Sequence, residues 1–261
     1  MKLFLNRSIQ FSSTDEYRYH EMLVHIPLLL HENPKRVLVL GGGENLASRE
    51  ILKHPNIDRI DVVDIDSMMF YLSKTNKDLL TINDRASLDP RVHMINDDAF
   101  TYLINNEATY DVIISDLPDP SNDAISKLYS KQFFGLAKQS LKKDGVFVTQ
   151  SGEVYYSNTA FSCIKNTVNA VFSDVKTYQV YVPSFGYWGY TLAKNSEINE
   201  ERFRSLPQNL KYLTNSTFVS SFEMPKDIAI VKTKINTIDH PVVLDYFLSD
   251  WNKWKSTLLT N

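Results

Sequence analysis

Tyr110-Asp111-Val112-Ile113-Ile114-Ser115-Asp116-Leu117-Pro118-Asp119-Pro120 is an apolar run closed by two acids and two prolines. Tyr110 to Ser115 reads as a buried parallel strand, short, rich in β-branched residues and stopped by turn formers. In an open α/β sheet the ligand lies beyond the carboxyl ends of the strands. Asp116 and Asp119 therefore stand where a ligand is expected, and Pro118 and Pro120 fix a sharp turn that aims both at one pocket. Paired carboxylates suit a cationic substrate, because one can take a proton while the other holds a positive charge. Asp and Pro also favour plain turns. Alone, this stretch would read as an ordinary strand end, and the rest of the chain alters that balance.

Working outward, Arg36-Val37-Leu38-Val39-Leu40 is a second buried strand, ending in Gly41-Gly42-Gly43 and followed by a helix from about Asn45 to Lys53. Arg59 to Val63, Val92 to Ile95 and Gly145 to Thr149 read as further strands. They alternate with helices over Ser67 to Lys74, Asp97 to Ile104 and roughly Ser130 to Leu141. That alternation predicts a parallel sheet of right-handed βαβ units. After a helix from Asn158, Val175 to Val182 and Gly189 to Ala193 are joined through Pro183-Ser184-Phe185-Gly186, a connection short enough for an antiparallel pair at one sheet edge. Near the start, Leu3-Phe4-Leu5 and Ile9-Gln10-Phe11 flank Asn6-Arg7-Ser8 as a hairpin with Asn at its turn. Thr14 and Asp15 offer an N-cap to a helix through Tyr19, Met22, Leu23 and Ile26. Beyond about Asn195 the chain is helical and irregular, with Trp251 and Trp254 anchoring a packed C-terminal helix. The expected fold class is α/β: a Rossmann-like, class I methyltransferase-type, mostly parallel sheet with an antiparallel edge hairpin and a small N-terminal β-hairpin. The expected division is a hairpin domain over 1–15 and a catalytic domain with a helical extension over 16–261.

Composition narrows the function. The 261 residues suffice for one large α/β domain with a small appendage. Hydrophobic residues make up 43%, too many for a disordered chain. A net charge of −3 offers no basic surface to nucleic acid. The single cysteine, Cys163, forbids an intramolecular disulfide, fits a reducing cytoplasm and reads as a small buried hydrophobe. Ile26-Pro27-Leu28-Leu29-Leu30 is far too short to span a bilayer, and no signal peptide is expected. Six histidines lie scattered without Cys or Glu partners at zinc spacing, so no metal is expected.

The first βα turn, with Gly41, Gly43 and Asn45, brings backbone close to a ligand at a helix start. The dinucleotide fingerprint is incomplete, because its third glycine falls at Leu46. A nucleoside on a sulfonium needs no pyrophosphate cradle, so the gap points away from NAD; a tight turn with packing glycines is the plain alternative. Asn45 is tolerable in such a turn because Asn visits left-handed geometry. Asp64, about 20 residues on at the end of the second strand, suits the two ribose hydroxyls, although a dinucleotide site would use the same acid. Asp66 reads as a helix cap. Asp98, with Ala99 beside it, ends the third strand where a carboxylate can accept from an exocyclic adenine amine. Asp97 or Asp98 could also cap the helix; Asp98 is favoured as the ligand and Asp97 as solvated.

The assembled pattern resembles the polyamine aminopropyltransferases, that is, spermidine synthase and its relatives. The matching pieces are Tyr19-His20-Glu21-Met22 with His25 and Pro27, Val39-Leu40-Gly41-Gly42-Gly43-Glu44, Asp64-Ile65-Asp66, Asp98-Ala99-Phe100, and Asp111 to Asp116 with Asp119-Pro120. Leu210-Lys211-Tyr212 and Phe222-Glu223-Met224-Pro225 are similar to the family's closing segment. The resemblance implies that Asp116 is the proton acceptor and that Asp119 holds the acceptor amine. Tyr19 and His25 match residues lining the polyamine channel, and Glu44 stands beside the aminopropyl group. Asp64 matches the ribose ligand and Asp98 the adenine ligand. The chain departs from the family at Asn45 for Gly, at Leu117-Pro118 for a small or polar pair, at Phe185 for a polyamine-binding Tyr, and in Ser121-Asn122-Asp123-Ala124, which lacks the usual Gly-Pro. It looks most like the cytosolic part of members with an amino-terminal membrane region, and would then begin inside the amino-terminal hairpin region.

What the resemblance implies is transfer of an aminopropyl group from decarboxylated S-adenosylmethionine, a co-substrate rather than a cofactor, to putrescine or a similar amine, releasing methylthioadenosine. The partners are a polyamine acceptor and a sulfonium nucleoside donor, in a cytoplasmic setting. A homodimer or larger homo-oligomer stays open, as does an upstream membrane tether. Two rivals stand beside this reading. An S-adenosylmethionine-dependent methyltransferase would use the same fold and the same Asp64 and Asp98, but it has no need for the crowding of Glu44, Asp116 and Asp119. A non-catalytic nucleoside or polyamine-binding module would bind without turnover.

Overall fold

Most of the apolar runs become strands because they are short, β-branched and stopped by Gly, Pro, Asn or Asp, whereas the run expected over Gly145 to Thr149 lies inside a 13-residue strand. In this computed structural model, which describes residues 1–5 and 8–259, β1 (Lys2–Leu5) and β2 (Ser8–Ser12) form a separate antiparallel hairpin. Its expected turn at Asn6 and Arg7 lies outside the described residues. The remaining strands form one seven-stranded sheet. They are β3 (Arg36–Gly41), β4 (Arg59–Asp64), β5 (Val92–Asn96), β6 (Tyr110–Asp116), β7 (Leu141–Glu153), β8 (Asp174–Val182) and β9 (Gly186–Lys194). Their order is β5-β4-β3-β6-β7-β9-β8, parallel through β7 and antiparallel at β9 and β8. The edge hairpin therefore forms as the short Pro183-to-Gly186 connection predicts.

Among the described residues, ten α-helices connect and cover the strands: α1 (Glu16–Leu29), α2 (Leu46–Ile51), α3 (Ser67–Thr75), α4 (Lys77–Ile82), α5 (Ala99–Asn105), α6 (Asp123–Ser126), α7 (Lys131–Gln139), α8 (Asn158–Asn169), α9 (Asn215–Ser220) and α10 (Val242–Leu259). The central strands are buried on both faces. Alternation along β3 sends Val37 and Val39 to a core shared with Met22, Leu23 and Ile26 of α1, and Leu38 to the other core with Phe133, Phe134 and Ala137 of α7. Each fully buried aliphatic or aromatic side chain there contributes roughly 1.5–3 kcal/mol.

Differences from the expected elements have identifiable causes. Asp15 sits at the N-cap of α1 but does not cap it; its carboxylate instead accepts from Ser184 N and Oγ, 2.7 and 2.9 Å away, tying the helix start to the β8–β9 turn. Helix α5 starts at Ala99 rather than Asp97 because Asp98 caps it. Helix α4 has its own Asn76 cap, which the sequence reading passed over. The closing segment docks on α1: buried Glu21 accepts from the backbone N–H groups of Lys211, Tyr212 and Leu213 at 2.7–2.9 Å. Trp254 donates from Nε1 to the Tyr156 carbonyl, so α10 packs as expected. Among the described residues no helix is long and apolar enough to cross a membrane.

Candidate functional site

The strand order reverses between β3 and β6, and a crevice opens outside their carboxyl ends, as an open α/β sheet requires. Parallel register sets Gly41 opposite Asp116 and Asp64 opposite Asn96. The strand ends thereby share one level, and the residues that follow them border a single cavity of about 670 Å³. The hairpin, the start of α1 and the β8–β9 turn close its sides through Phe11, Tyr19 and Phe185.

The glycine turn is shaped by close approach. Gly41 has φ +85°, and a Cβ there would lie 2.0 Å from the Asp116 carbonyl oxygen, so only glycine lets β3 pass β6 at this point. At Gly43 a Cβ would meet Asp64 Oδ2 at 2.9 Å. Asn45 adopts φ 67°, the left-handed conformation anticipated for it. Its Nδ2 donates to the Gly43 carbonyl at 2.9 Å, and its Oδ1 accepts from Ser48 Oγ. The family's glycine is thus replaced by a residue that holds the turn with its own side chain.

The acids after β4 and β5 border one end of the cavity. Asp64 accepts from Gly43 N at 3.0 Å and from Asp66 N at 2.8 Å. Burial raises its carboxyl above the ordinary range against these backbone hydrogen bonds. Asp66 caps α3, as expected. Asp98 caps α5 through Oδ1, which accepts from Thr101 N at 3.0 Å; its Oδ2 lies 3.8 Å from Lys127 Nζ, and Asp98 and Ala99 both line the cavity. Asp97, expected in solvent, is half-buried and accepts from Asp98 N.

At the other end, Tyr19 donates to Asp116 Oδ1 across 2.5 Å. Burial and the Asp116 charge hold the Tyr19 hydroxyl protonated. Ligating atoms of His20, Glu44 and Asp116 all lie within 4.8 Å of one another. Burial, and then the neighbouring Asp116 charge, pushes Glu44 up to about 7. Burial raises Asp116, with His20 and the Tyr19 hydrogen bond opposing. Burial also pushes Asp119 up to about 6, against a 3.4 Å hydrogen bond from Gln150 Nε2. The aromatic rings of Tyr19, Phe185 and Trp188 pack together as a wall, with centroids 5.2–6.3 Å apart. The arrangement offers carboxyl groups raised by burial beside an aromatic surface.

His25 is the correction. It does not line the cavity; it is fully buried, with Nε2 2.9 Å from Glu50 Oε2 and Nδ1 2.8 Å from His54 Nε2. It stands about 9 Å further along the helix axis than Tyr19, and only the first part of α1 reaches the crevice. The histidine in the wall is His20. Two signals pointed to it: it adjoins Tyr19, and Glu16 at i−4 gives it a partner. Gln150 and Trp188 also line the cavity and were not singled out; Gln150 follows Thr149, whose register with Ser115 brings it beside the acid-bearing turn. Gly41, Glu44, Asp64, Asp98, Ala99, Asp116, Asp119 and Tyr19 all come together, and Gly43 stands just behind as the donor to Asp64.

Comparison with known proteins finds similar sequences and a similar fold. The family described as "Spermine/spermidine synthase domain" matches residues 16–205. A polyamine aminopropyltransferase from Leptospira interrogans is 39% identical over 253 residues, which cover 97% of this chain and 50% of the relative. The chain spans about half the length of the curated relatives it matches. A spermidine synthase solved in complex with the transition-state analogue AdoDATO superposes with a TM-score of 0.79 at 28% identity, over 86% of this chain and 78% of that one. The spermidine synthase from Thermotoga maritima gives 0.76 at 27% identity, over 86% and 77%.

Proposed function

The chain belongs to the spermine/spermidine synthase family, and from that premise we propose that it is a polyamine aminopropyltransferase. It transfers the aminopropyl group of decarboxylated S-adenosylmethionine to putrescine or a similar diamine and releases methylthioadenosine. The observation that carries this reading is the gathering of Glu44, Asp116 and Asp119 in one cavity with Asp64. A methyl acceptor need not be a dication and has no use for three carboxyl groups at one end.

In this reading Asp64 accepts from the ribose hydroxyls, and Asp98 and Ala99 border the adenine. Glu44 attracts the ammonium at the donor's tail and repels the carboxylate of ordinary S-adenosylmethionine. Asp119 pairs with one end of the acceptor, whose methylenes lie along Tyr19, Phe185 and Trp188. The other nitrogen uses its lone pair to form a bond to the methylene carbon next to sulfur. The carbon–sulfur bond breaks, and its electron pair returns to the sulfonium as a neutral thioether. The excess proton on nitrogen passes to Asp116, whose orientation is set by the Tyr19 hydroxyl. Held alignment of the two substrates supplies much of the rate. Residues 1–15 are a small domain beside the catalytic domain over 16–261, and the setting is cytoplasmic, in keeping with a lone, buried cysteine.

Mass analysis of products over a panel of diamines tests this. An aminopropyl gain on the amine with methylthioadenosine released is expected. A methyl gain, or binding with no product, overturns it.

A further inference from the structure

A chain of buried charge runs behind the cavity wall. His20 Nδ1 lies 2.8 Å from Glu16 Oε2 and 2.9 Å from the Glu16 carbonyl oxygen. Both oxygens only accept when the acid is ionised, so Nδ1 carries a hydrogen and Nε2 is the nitrogen left to the cavity. Nε2 is 3.8 Å from Glu44 Oε1. Glu16 is in turn gripped by both terminal nitrogens of Arg49, at 2.8 and 2.9 Å. Arg49 is anchored by Glu50 at 2.8 Å and by the Ile82 carbonyl, and Glu50 by His25 and Lys53. The side chains of Glu16, His20, Arg49 and Glu50 are each at most 10% exposed.

We propose that Glu16 is a positioning residue of the reaction: gripped by Arg49, it keeps His20 an imidazolium, and that fixed cation keeps Asp116 ionised and ready to take the proton of the attacking amine. This rests on the aminopropyl-transfer reading above. The geometry gives His20 two tasks on two nitrogens, one bound to Glu16 and one turned to the acid pair. A side chain that only welded α1 to α2 would need neither. Burial by itself would deprotonate His20, but the Glu16 hydrogen bond and charge, then Asp116 and Glu44, raise it. Glu16 itself is lowered to about 2 by His20 and Arg49, despite burial. His20 opposes the protonation that burial favours at Asp116.

Asp119, in the turn after β6, shares the cavity with Asp116 and acts with it on Tyr129. Tyr19 adjoins His20 and Asp116 from α1, Glu44 from the glycine turn, and Asp64 acts on Glu44 from the end of β4. Tyr190 of β9 and Tyr129 sense the Asp116 charge and are held neutral by burial. Lys127, across the cavity, lies by Asp98.

The test uses the full chain with Glu16→Gln and Glu16→Asp. Nitrogen shifts of His20 and the carboxyl carbon shift of Asp116 are followed by NMR through pH 5–9 without substrates, alongside pH profiles of kcat/KM. In Glu16→Gln, His20 should lose its proton at lower pH and Asp116 at higher pH. The acid limb should move up by about one pH unit, about a tenfold loss on that limb, with activity restored at high pH. Glu16→Asp should retain most of the parent profile, and methylthioadenosine affinity should be unchanged in both. A pH-independent loss, or an unchanged His20 titration, overturns the proposal. If Glu16→Gln does not fold, His20→Gln must show the same rise in Asp116 and in the acid limb, and a failure to do so overturns it equally. A parent that makes no aminopropyl product sinks the functional reading instead, while the two titrations still decide the link from Glu16 to Asp116.

Discussion

Replacing Glu44 with Gln removes a carboxyl group that the empty protein holds at an energetic cost. Burial and Asp116 raise it from 4.5 to about 7. A carboxyl raised in the folded state contributes stability that is fully present below its unfolded pKa and lost as pH climbs through the folded one. At about 1.4 kcal/mol per pH unit, the interval from 4.5 to about 7 is worth about 3.5 kcal/mol at most. Residual exposure of 15% and the pairing with His20 reduce it, leaving roughly 2 kcal/mol. Glu44→Gln should therefore gain on the parent between pH 5 and pH 8, widening the Tm difference by roughly 4–8 °C in its favour. Asp119, raised to about 6, changes stability in the same direction, and His54, lowered to about 3, in the opposite one. Both are present in parent and variant and cancel in the difference. Calorimetric melting of the two proteins at fixed ionic strength across that range is the measurement. A difference in Tm that stays constant with pH refutes the claim that Glu44 is buried among like charges.

Asp116→Asn keeps the shape of the site and should lower kcat by at least about 100-fold, the scale of one lost general base, with methylthioadenosine affinity nearly intact by titration calorimetry. Asp119→Asn should instead raise KM for the diamine more than it lowers kcat, because it removes a charge partner present before and during reaction; equal effects on both constants would contradict its role. Asp64→Ala should weaken methylthioadenosine binding by roughly 1.5–3 kcal/mol, read by calorimetry on a variant whose circular dichroism matches the parent. Gly41→Ala should cost at least about 1–2 kcal/mol in a denaturant titration from left-handed backbone alone, and more because its Cβ has no room beside Asp116.

The sheet was legible because its signals are local. Five apolar runs end in residues that stop strands, and alternation with helices leaves a parallel sheet as the outcome. The same locality let Asp116, Asp64 and Glu44 be placed, since each directly follows a strand or its glycine turn. What the sequence hid depends on distance in space. Gln150 and Trp188 reach the cavity through sheet register and a hairpin that folds back, and no spacing along the chain announces this. His25 was misplaced because proximity in sequence to Tyr19 says nothing of how far α1 runs beyond the crevice. Asp15 looked like a cap because the residue type and position were right, yet Ser184, far along the chain, claims its carboxylate.

In the proposed reading, the crowding that raises the cavity's acids also favours cations. Carboxyl groups crowded away from water are raised, Glu44 to about 7 and Asp119 to about 6, while His20 opposes the rise at Asp116. An arriving ammonium supplies a positive charge that favours their ionised forms, and where they are already ionised it also relieves their mutual repulsion. A neutral or anionic ligand gains no such relief. Selection for cations is then set by the like-charge crowding as much as by any single ion pair. His20 moderates the crowding, for it is the one imidazole among the described residues that faces the group, and without it Asp116, the proposed proton acceptor, would be raised further.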